Sequence, residues 1–148
     1  LFSCLLLYHF FAMNTSSETE DIMTTELLAA VHAQMQKAGV PYQYGVYRTE
    51  TALPEVYAVG HYSGSPVTEE SGMLSGTFLL TLVGTSWAKL EQAHEKIRCS
   101  FPRIGGHRVF REAYGVVICY DNAVAVPCDN AAIKKIQINL KCKEWSVN

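Results

Sequence analysis

The segment GTFLLTLVGTSWAKLEQAHEKIRC, residues 76–99, decides the fold because it leads from a strand directly into a helix. In its first half, side chains alternate between two faces, as they do in an extended strand. Both faces carry apolar residues, so we predict a central strand that is covered on both sides. One face carries Phe78, Leu80 and Leu82, and the other carries Thr77, Leu79, Thr81 and Val83.

The second half of this segment has the period of an amphipathic helix. Ser86 is a candidate N-cap, because a serine side chain can accept a hydrogen bond from a backbone N–H of the first turn. The strand and this helix form a compact folding unit around which the other elements are arranged. The helix face predicted to pack inward carries Trp87, Leu90, His94 and Ile97.

The rest of the chain predicts one more helix and several strands. We expect a helix at 24–37, which Gly39 ends and Pro41 prevents from continuing. A long exposed loop is predicted at 63–72 and a turn at 121–122. The predicted strands cover residues 41–47, 56–62, 107–113 and 116–120, with a short edge segment at 124–126.

The last predicted strand, residues 135–145, alternates most regularly, and we expect it to pair with the strand that begins at Gly76. One covered and one solvated face is typical of an antiparallel sheet. The fold class is therefore α+β, with a mostly antiparallel sheet of four to six strands flanked by two helices in a single domain. The inward residues are Ile136, Ile138, Leu140 and Cys142, and the outward residues are Gln137, Asn139, Lys141 and Lys143.

Composition limits the possible classes of function. A length of 148 residues makes one domain the default, and 49% hydrophobic with 18% charged residues is typical of a globular protein. A net charge of -2 argues against a dedicated nucleic-acid-binding protein, although it leaves room for a local basic edge. Such a basic cluster lies near the C-terminus, at Lys134, Lys135, Lys141 and Lys143.

The first 22 residues stand apart from this domain. Residues 1–12, LFSCLLLYHFFA, are apolar but fewer than the about 20 residues that a membrane-spanning helix needs. They lack the basic start and the cleavage site of a secretory signal, so we expect translated upstream sequence with the true start at Met13 or Met23. The alternative is the end of a truncated signal. Residues 1–22 are thus predicted to be a disordered or non-native leader, and residues 23–148 the folded domain.

The cysteines and histidines form no pattern that predicts catalysis. The five cysteines include no Cys-x-x-Cys pair, which supports neither a disulfide framework nor a zinc site and favours a reducing compartment such as a cytoplasm. A nucleophilic pair of Cys119 with His61 or His107 is possible, but Cys119 lies within VVICY and is expected in the core. No two histidines have metal-ligand spacing, namely His9, His32, His61, His94 and His107.

Three further patterns have structural interpretations. Glu69 and Glu70 lie in the predicted loop, where nothing raises the pKa of either carboxyl group for acid–base catalysis. Gly105-Gly106 lacks the residues that complete a phosphate-binding loop. The early strands are rich in tyrosine but poor in basic residues, which favours packing over a stacking platform for nucleic acid. We therefore assign no catalytic, cofactor-binding or metal-binding residue. These tyrosines are Tyr42, Tyr44, Tyr47, Tyr57 and Tyr62.

Several segments taken together resemble the small tail terminator proteins of long-tailed bacteriophages and prophages, also called tail completion or tail-to-head joining proteins. The resemblance covers residues 23–145 and lies in the order of the elements. It has no invariant motif, so no site residue is carried over. The segments are YAVGHYSG (57–64), SGMLSGTFLLTL (71–82), EKIRCSFP (95–102), VVICY (116–120) and KKIQINLKCKEW (134–145).

This resemblance implies a structural role without catalysis or a cofactor. Such proteins form a ring, typically a hexamer, that caps the tail tube and joins it to the head connector. The expected partners are further copies of this chain, the tail tube protein and the head-tail connector protein, with no membrane and no specific nucleic-acid binding. The expected location is the virion tail, assembled in the cytoplasm of the bacterial host. A ring needs complementary subunit edges, which the tyrosine-rich strands or the final strand would supply. The loops at 63–72 and 101–106 would reach axial partners.

Two other classes of function remain open. Within phage proteins, the alternative is a neighbouring head-tail connector or minor capsid component, which gene order would distinguish. Outside them, the alternatives are a small cytoplasmic enzyme, which would need a pocket with convergent polar groups, or a binding module.

Overall fold

The computed structural model describes residues 25–63 and 67–146, so the predicted leader at 1–22 lies outside the described residues. These residues form two helices, α1 (Thr25–Ala38) and α2 (Trp87–Ser100). The strands are β1 (Tyr42–Tyr44), β2 (Val56–Tyr62), β3 (Val67–Thr68), β4 (Leu74–Gly84), β5 (His107–Phe110), β6 (Tyr114–Val126) and β7 (Lys134–Ser146).

The strands form one sheet in the order β1-β2-β4-β7-β6-β5, with β3 paired to the start of β4. Every pair is antiparallel except β1 with β2. This confirms the predicted α+β class and the mostly antiparallel sheet with two helices in a single domain. The seventh strand, beyond the four to six predicted, is the two-residue β3 within the segment predicted as a loop.

β4 and β7 are central neighbours, as the sequence predicts. Their register runs from Leu74 opposite Glu144 to Gly84 opposite Lys134. β7 is also paired along its other side with β6, so both of its edges are occupied. The expectation that the final strand supplies a subunit edge is therefore wrong, whereas the tyrosine-rich β1 does lie at an edge of the sheet.

Both helices pack on the same face of the sheet, which we call the covered face. It carries the even-numbered residues of β4 and β7, so Phe78 lies opposite Leu140 and Leu80 opposite Ile138. All four side chains are fully buried, and burial of each large apolar side chain is worth roughly 1.5–3 kcal/mol. The helices bury Leu27, Leu28, Ala30, Val31 and Met35 from α1 and Leu90, Ala93 and Ile97 from α2.

The start of α2 differs from its prediction. Ser86 occupies the N-cap position and its carbonyl accepts the Leu90 N–H at 3.0 Å, but its side chain makes no capping hydrogen bond. Trp87 was expected on the inward face and is exposed instead. It lies in the first turn, where the Nζ of Lys134 stands 6.0 Å from the centre of its ring.

The other face of the sheet, which we call the open face, carries the odd-numbered residues of β4 and β7 and their neighbours across the strands. No described helix packs on it. Leu79, Thr81 and Val83 are therefore only half-buried, so the prediction that β4 is covered on both sides is wrong. Both helices pack on the covered face, against each other as well as against the sheet, so neither covers the open face.

β6 is one long strand where two short segments and a turn were predicted. The register shifts between Tyr120 and Asn122, which is a β-bulge in place of the predicted turn. Because of the extra residue, Ala123 lies opposite Ile138 and Ala125 lies opposite Ile136. β6 therefore continues along β7, with these small side chains on the covered face. At the other end of the chain, Gly39 (φ 72°) ends α1 as predicted.

Candidate functional site

His94 has a partner that the sequence does not reveal. Its Nε2 lies 2.9 Å from the hydroxyl oxygen of Tyr120, and its Nδ1 lies 3.5 Å from the carboxylate of Glu91. The Tyr120 ring is buried beneath this contact, with the Arg103 guanidinium 5.5 Å from its centre. This contact links α2 to β6. It places no exposed nucleophile beside the imidazole, so His94 has no group to activate.

The nucleophilic pairs considered from the sequence are not assembled. Cys119 is half-buried on the open face beside Lys141, where the sequence predicted a core position. His61 is on β2, three strands from β6, or roughly 14 Å at the usual spacing between strands. His107 pairs with Ile118 and so faces the covered side, opposite to Cys119. Burial raises the pKa of the Cys142 thiol to about 12, which keeps that thiol protonated.

The remaining histidines do not come together into a site. His32 lies in α1 with its ring centre 6.2 Å from that of Tyr42, and neither ring nitrogen has a hydrogen-bond partner among the described residues. Burial lowers the pKa of His32, and burial followed by the charge of Lys37 lowers that of His107. Within residues 25–63 and 67–146, no group of three or more histidine, cysteine or acidic residues could hold a metal ion.

The carboxylate pair and the glycine pair have structural explanations. The Glu69 carboxylate accepts a hydrogen bond from the Ser75 hydroxyl at 2.6 Å, in the connection between β3 and β4. Gly105 and Gly106 both have positive φ, and a Cβ on Gly106 would stand 2.6 Å from the sulfur of Cys119. A glycine is therefore required there by the turn and by close packing.

The tyrosines of the early strands are packing residues. Tyr62 packs edge-on against the buried Phe78 with ring centres 5.4 Å apart, and Tyr44 lies 6.2 Å from the same ring. Burial is the main reason that the pKa values of Tyr42 and Tyr62 are raised. Tyr47 and Tyr57 stack on each other outside this cluster, with ring centres 4.6 Å apart.

A shallow pocket of about 290 Å³ lies where the start of α1 meets the ends of β4 and β7. It brings together Glu26, Tyr114, Glu144 and Ser146, but no histidine lines it to activate the serine. The described part of the chain thus offers no assembled catalytic site, and its functional features are surfaces.

The two edges of the sheet are the first of these surfaces. We define the β1 edge as β1 with residues 45–55, which Gln43 holds in place by accepting the Arg48 N–H at 2.9 Å. Val46 and Leu53 are exposed on it by 60% and 57%. It also carries Arg48, Glu50 and Glu55.

The β5 edge, at the far side of the sheet, consists of β5 with residues 101–106 and 111–113. Ile104 is 92% exposed and Phe110 is 59% exposed. This edge is basic, because it carries Arg103, Arg108 and Arg111 against a single acid, Glu112. Apolar side chains therefore lie at both edges. The β5 edge also carries an excess of positive charge, whereas Arg48 and Glu50 balance each other at the β1 edge because Glu55 is paired with Lys89.

The open face is the third surface. The structure divides the basic cluster predicted near the C-terminus. Lys135, Lys141 and Lys143 point to the open face, whereas Lys134 points to the covered side near Trp87. Arg108 joins them from β5, because it pairs with Val117 and Val117 pairs with Lys143. The sequence signal for this surface was the alternation of lysines along β7.

Comparisons with known proteins add one finding. No model of a known protein family matches the chain, and no curated protein matches it in sequence. Among solved structures, a similar chain comes from the virion of a native gene transfer agent particle, with a TM-score of 0.62. The two chains share a fold. The match covers 80% of this chain and 93% of the other at 13% identity, so it establishes the fold and not the role.

In the described residues, no helix is both long enough and apolar enough to span a membrane.

Proposed function

We propose that this protein is a structural component of a phage-like virion and, more specifically, a tail terminator that forms a ring on the end of the tail tube. The observation that carries the proposal is the fold shared with nearly the whole length of a chain from a gene transfer agent virion. The order of elements from residue 23 to 145 supports the finer assignment, because it resembles that of tail terminators. We assign no enzymatic activity and no cofactor to it.

The two sheet edges support assembly into a ring. A contact that joins one edge of a subunit to the opposite edge of the next is heterologous, and such contacts close into a ring when the rotation allows it. Exposed edge strands also pair readily with strands of another chain. Val46 and Phe110 provide exposed apolar side chains at the two edges, which would be buried by such a contact.

Axial contacts would come from the loops above and below the sheet. Ile104 at the tip of residues 101–106 and Val67 in β3 are both highly exposed apolar side chains. Exposed apolar residues on loops are common in protein–protein contacts. In this proposal the tail tube protein and the head-tail connector bind there, and the ring, with six subunits in the typical case, belongs to the virion tail assembled in the host cytoplasm.

Size-exclusion chromatography with light scattering, followed by negative-stain electron microscopy, tests the ring. We expect the wild-type protein to form a ring, and Val46→Asp and Phe110→Asp to abolish it by placing a charge in each edge. Trp87→Asp is the control, since Trp87 is also an exposed apolar side chain but lies on α2, outside both edges. A strict monomer at high protein concentration, with no assembly on added tail tubes, would contradict the proposal.

A mixing experiment identifies the type of interface. Each edge variant retains one intact edge, so an equimolar mixture of Val46→Asp and Phe110→Asp should form a heterodimer and stop there. A symmetric interface that uses one edge twice predicts homodimers from one variant instead. Binding of the ring to tube ends rather than to the connector alone distinguishes a terminator from a neighbouring connector protein.

A further inference from the structure

The open face carries a local excess of positive charge. Lys135, Lys141, Lys143 and Arg108 lie on it, against two described acids, Asp121 beside Lys141 and Glu69, whose carboxylate accepts from the Ser75 hydroxyl opposite Lys143. The whole chain has a net charge of -2, so this basic excess is a local property that the overall composition hides. A local field of this kind attracts anions even on an acidic protein.

The helical side of the molecule provides the contrast. The basic residues of α2 stand beside acids, because Lys89 forms an ion pair with Glu55 and Arg98 forms one with Glu95 at 2.8 Å. Their charges are therefore balanced at short range. On the open face the one described ion pair joins Lys141 to Asp121 at 3.5 Å, which leaves an excess of positive charge on β7 and β5.

The geometry of the basic residues suits a linear polyanion. Lys141 and Lys143 are two positions apart on one strand, and so stand about 7 Å apart on the same face. Arg108 lies two strands across from Lys143, and its Nε donates to the Gly105 carbonyl at 2.7 Å, which holds the side chain in place. The neighbouring open-face positions hold Gln137, Asn139, Thr77 and Thr81, whose side chains are also common phosphate ligands.

We propose that the open face binds the phosphate backbone of a nucleic acid without reading its base sequence. Lysine and arginine side chains neutralise phosphates, which supplies the affinity of binding that is independent of sequence. A symmetric contact between two open faces is disfavoured, because it would bring like charges together. The inference does not depend on the proposed ring, because the three lysines lie on β7, between the two edges; Arg108, on β5, is the one basic residue that the open face shares with the β5 edge.

Fluorescence anisotropy with labelled 30-nucleotide DNA, single-stranded and duplex, tests this binding at 50 and 200 mM salt. We expect a dissociation constant of about 1–100 μM that weakens steeply with salt, as is usual for binding through phosphates. The comparison of the two DNA forms shows which source of phosphate the face prefers. Poly-glutamate of similar length is the control polyanion, and it should bind at least tenfold more weakly.

The variant Lys141→Gln/Lys143→Gln should weaken DNA binding about tenfold at 50 mM salt and reduce the salt slope by about two, one for each lost phosphate contact. Lys89→Gln/Lys96→Gln on α2 is the charge-matched control and should change neither. Asp121→Asn should tighten binding, since it removes the acid beside Lys141. All four substituted lysines are exposed, so we expect both double variants to remain folded, which thermal melting would check.

Three outcomes would overturn the inference: no DNA binding at 50 mM salt, equal losses in the two lysine pairs, or equal binding of DNA and poly-glutamate. The last result would indicate an acidic protein partner instead. Repeating the titration with Val46→Asp, in which the ring is expected to be absent and the substituted residue lies at the β1 edge away from Arg108 and the three lysines, separates the two proposals. DNA binding that persists there without a ring supports the open face alone.

Discussion

The two faces of the sheet differ sharply although β4 carries apolar residues on both. Leu80 on the covered face is fully buried, whereas the adjacent Leu79 on the open face is only half-buried. The cause lies in the neighbouring strand. Leu80 is opposite Ile138 and Leu79 is opposite Asn139, so the polar side of β7 belongs to the same face as Leu79. The environment of a strand residue is thus set by its neighbours across the sheet as much as by its own type.

The largest difference between the faces should appear on truncation of these two leucines. Leu80→Ala leaves a cavity in a packed core, for which we expect a loss of about 2–5 kcal/mol in the free energy of unfolding. Leu79→Ala removes the same atoms from a half-solvated position and should cost less than about 1.5 kcal/mol. Urea denaturation of both variants measures the difference. Equal losses would mean that the open face is covered in solution.

One corner of the open face is packed almost as tightly as the core. The Trp145 indole lies against Gly115, where an added Cβ would stand 2.4 Å from the ring, and the Phe110 ring centre is 5.6 Å from that of Trp145. Gly115→Ala should therefore cost about 1–3 kcal/mol through overpacking. In a Trp145→Ala background the same change should cost much less, and a double-mutant cycle measures this coupling. Additive losses would show that the indole does not lie there.

The covered face contains one polar contact whose loss should be smaller. Tyr120→Phe removes the hydroxyl that meets the His94 imidazole but retains the ring, so we expect a loss of about 0.5–1.5 kcal/mol. Tyr114→Phe is a control on the same strand. Thermal melting at pH 7.5 measures both variants. No change for Tyr120→Phe would mean that the hydrogen bond is replaced by water at no cost.

The smallest effect should be a dependence of stability on pH on the covered side. Burial lowers the pKa of His32 below its ordinary value of 6.5, so the unfolded chain binds a proton before the folded one does. The stability contributed by neutral His32 is present above pH 6.5 and is lost as the pH falls below it. His32→Leu should reduce the loss in the free energy of unfolding between pH 7.5 and pH 5.5.

His107 should account for part of the pH dependence of stability that remains in His32→Leu, because the pKa of His107 is also lowered by burial and by the charge of Lys37. An unaltered slope in His32→Leu would contradict the role given to burial at this position.

Local pattern was sufficient for most of the elements and for the class of fold. The alternation of Ile136, Ile138 and Leu140 predicted the register and the covered face of β7, because a shift by one residue would bury lysines. Gly39 predicted the end of α1 because a glycine readily adopts positive φ. The continuous β6 was missed, since Asp121-Asn122 favours a turn locally and only pairing along β7 converts it into a bulge.

The sequence predicted the surfaces less completely than it predicted the core. The contact of His94 with Tyr120 joins residues 26 positions apart, and no local signal reports it. The basic cluster was visible as a run of lysines, but its division between two faces depends on strand parity and on the position of the helices. Of the strands expected to supply a subunit edge, β1 does lie at an edge of the sheet, whereas β7 lies between two strands.

The amino-acid sequence by itself determined the two helices, the central pairing of β4 with β7 and the composition of the core, because these follow from hydrophobic period and turn chemistry within short segments. Only the tertiary structure decided which strands lie at the edges and which face of the sheet is left uncovered. Those features depend on strand order and on where both helices pack, and such long-range arrangements are set by the burial of the whole chain rather than by any one segment.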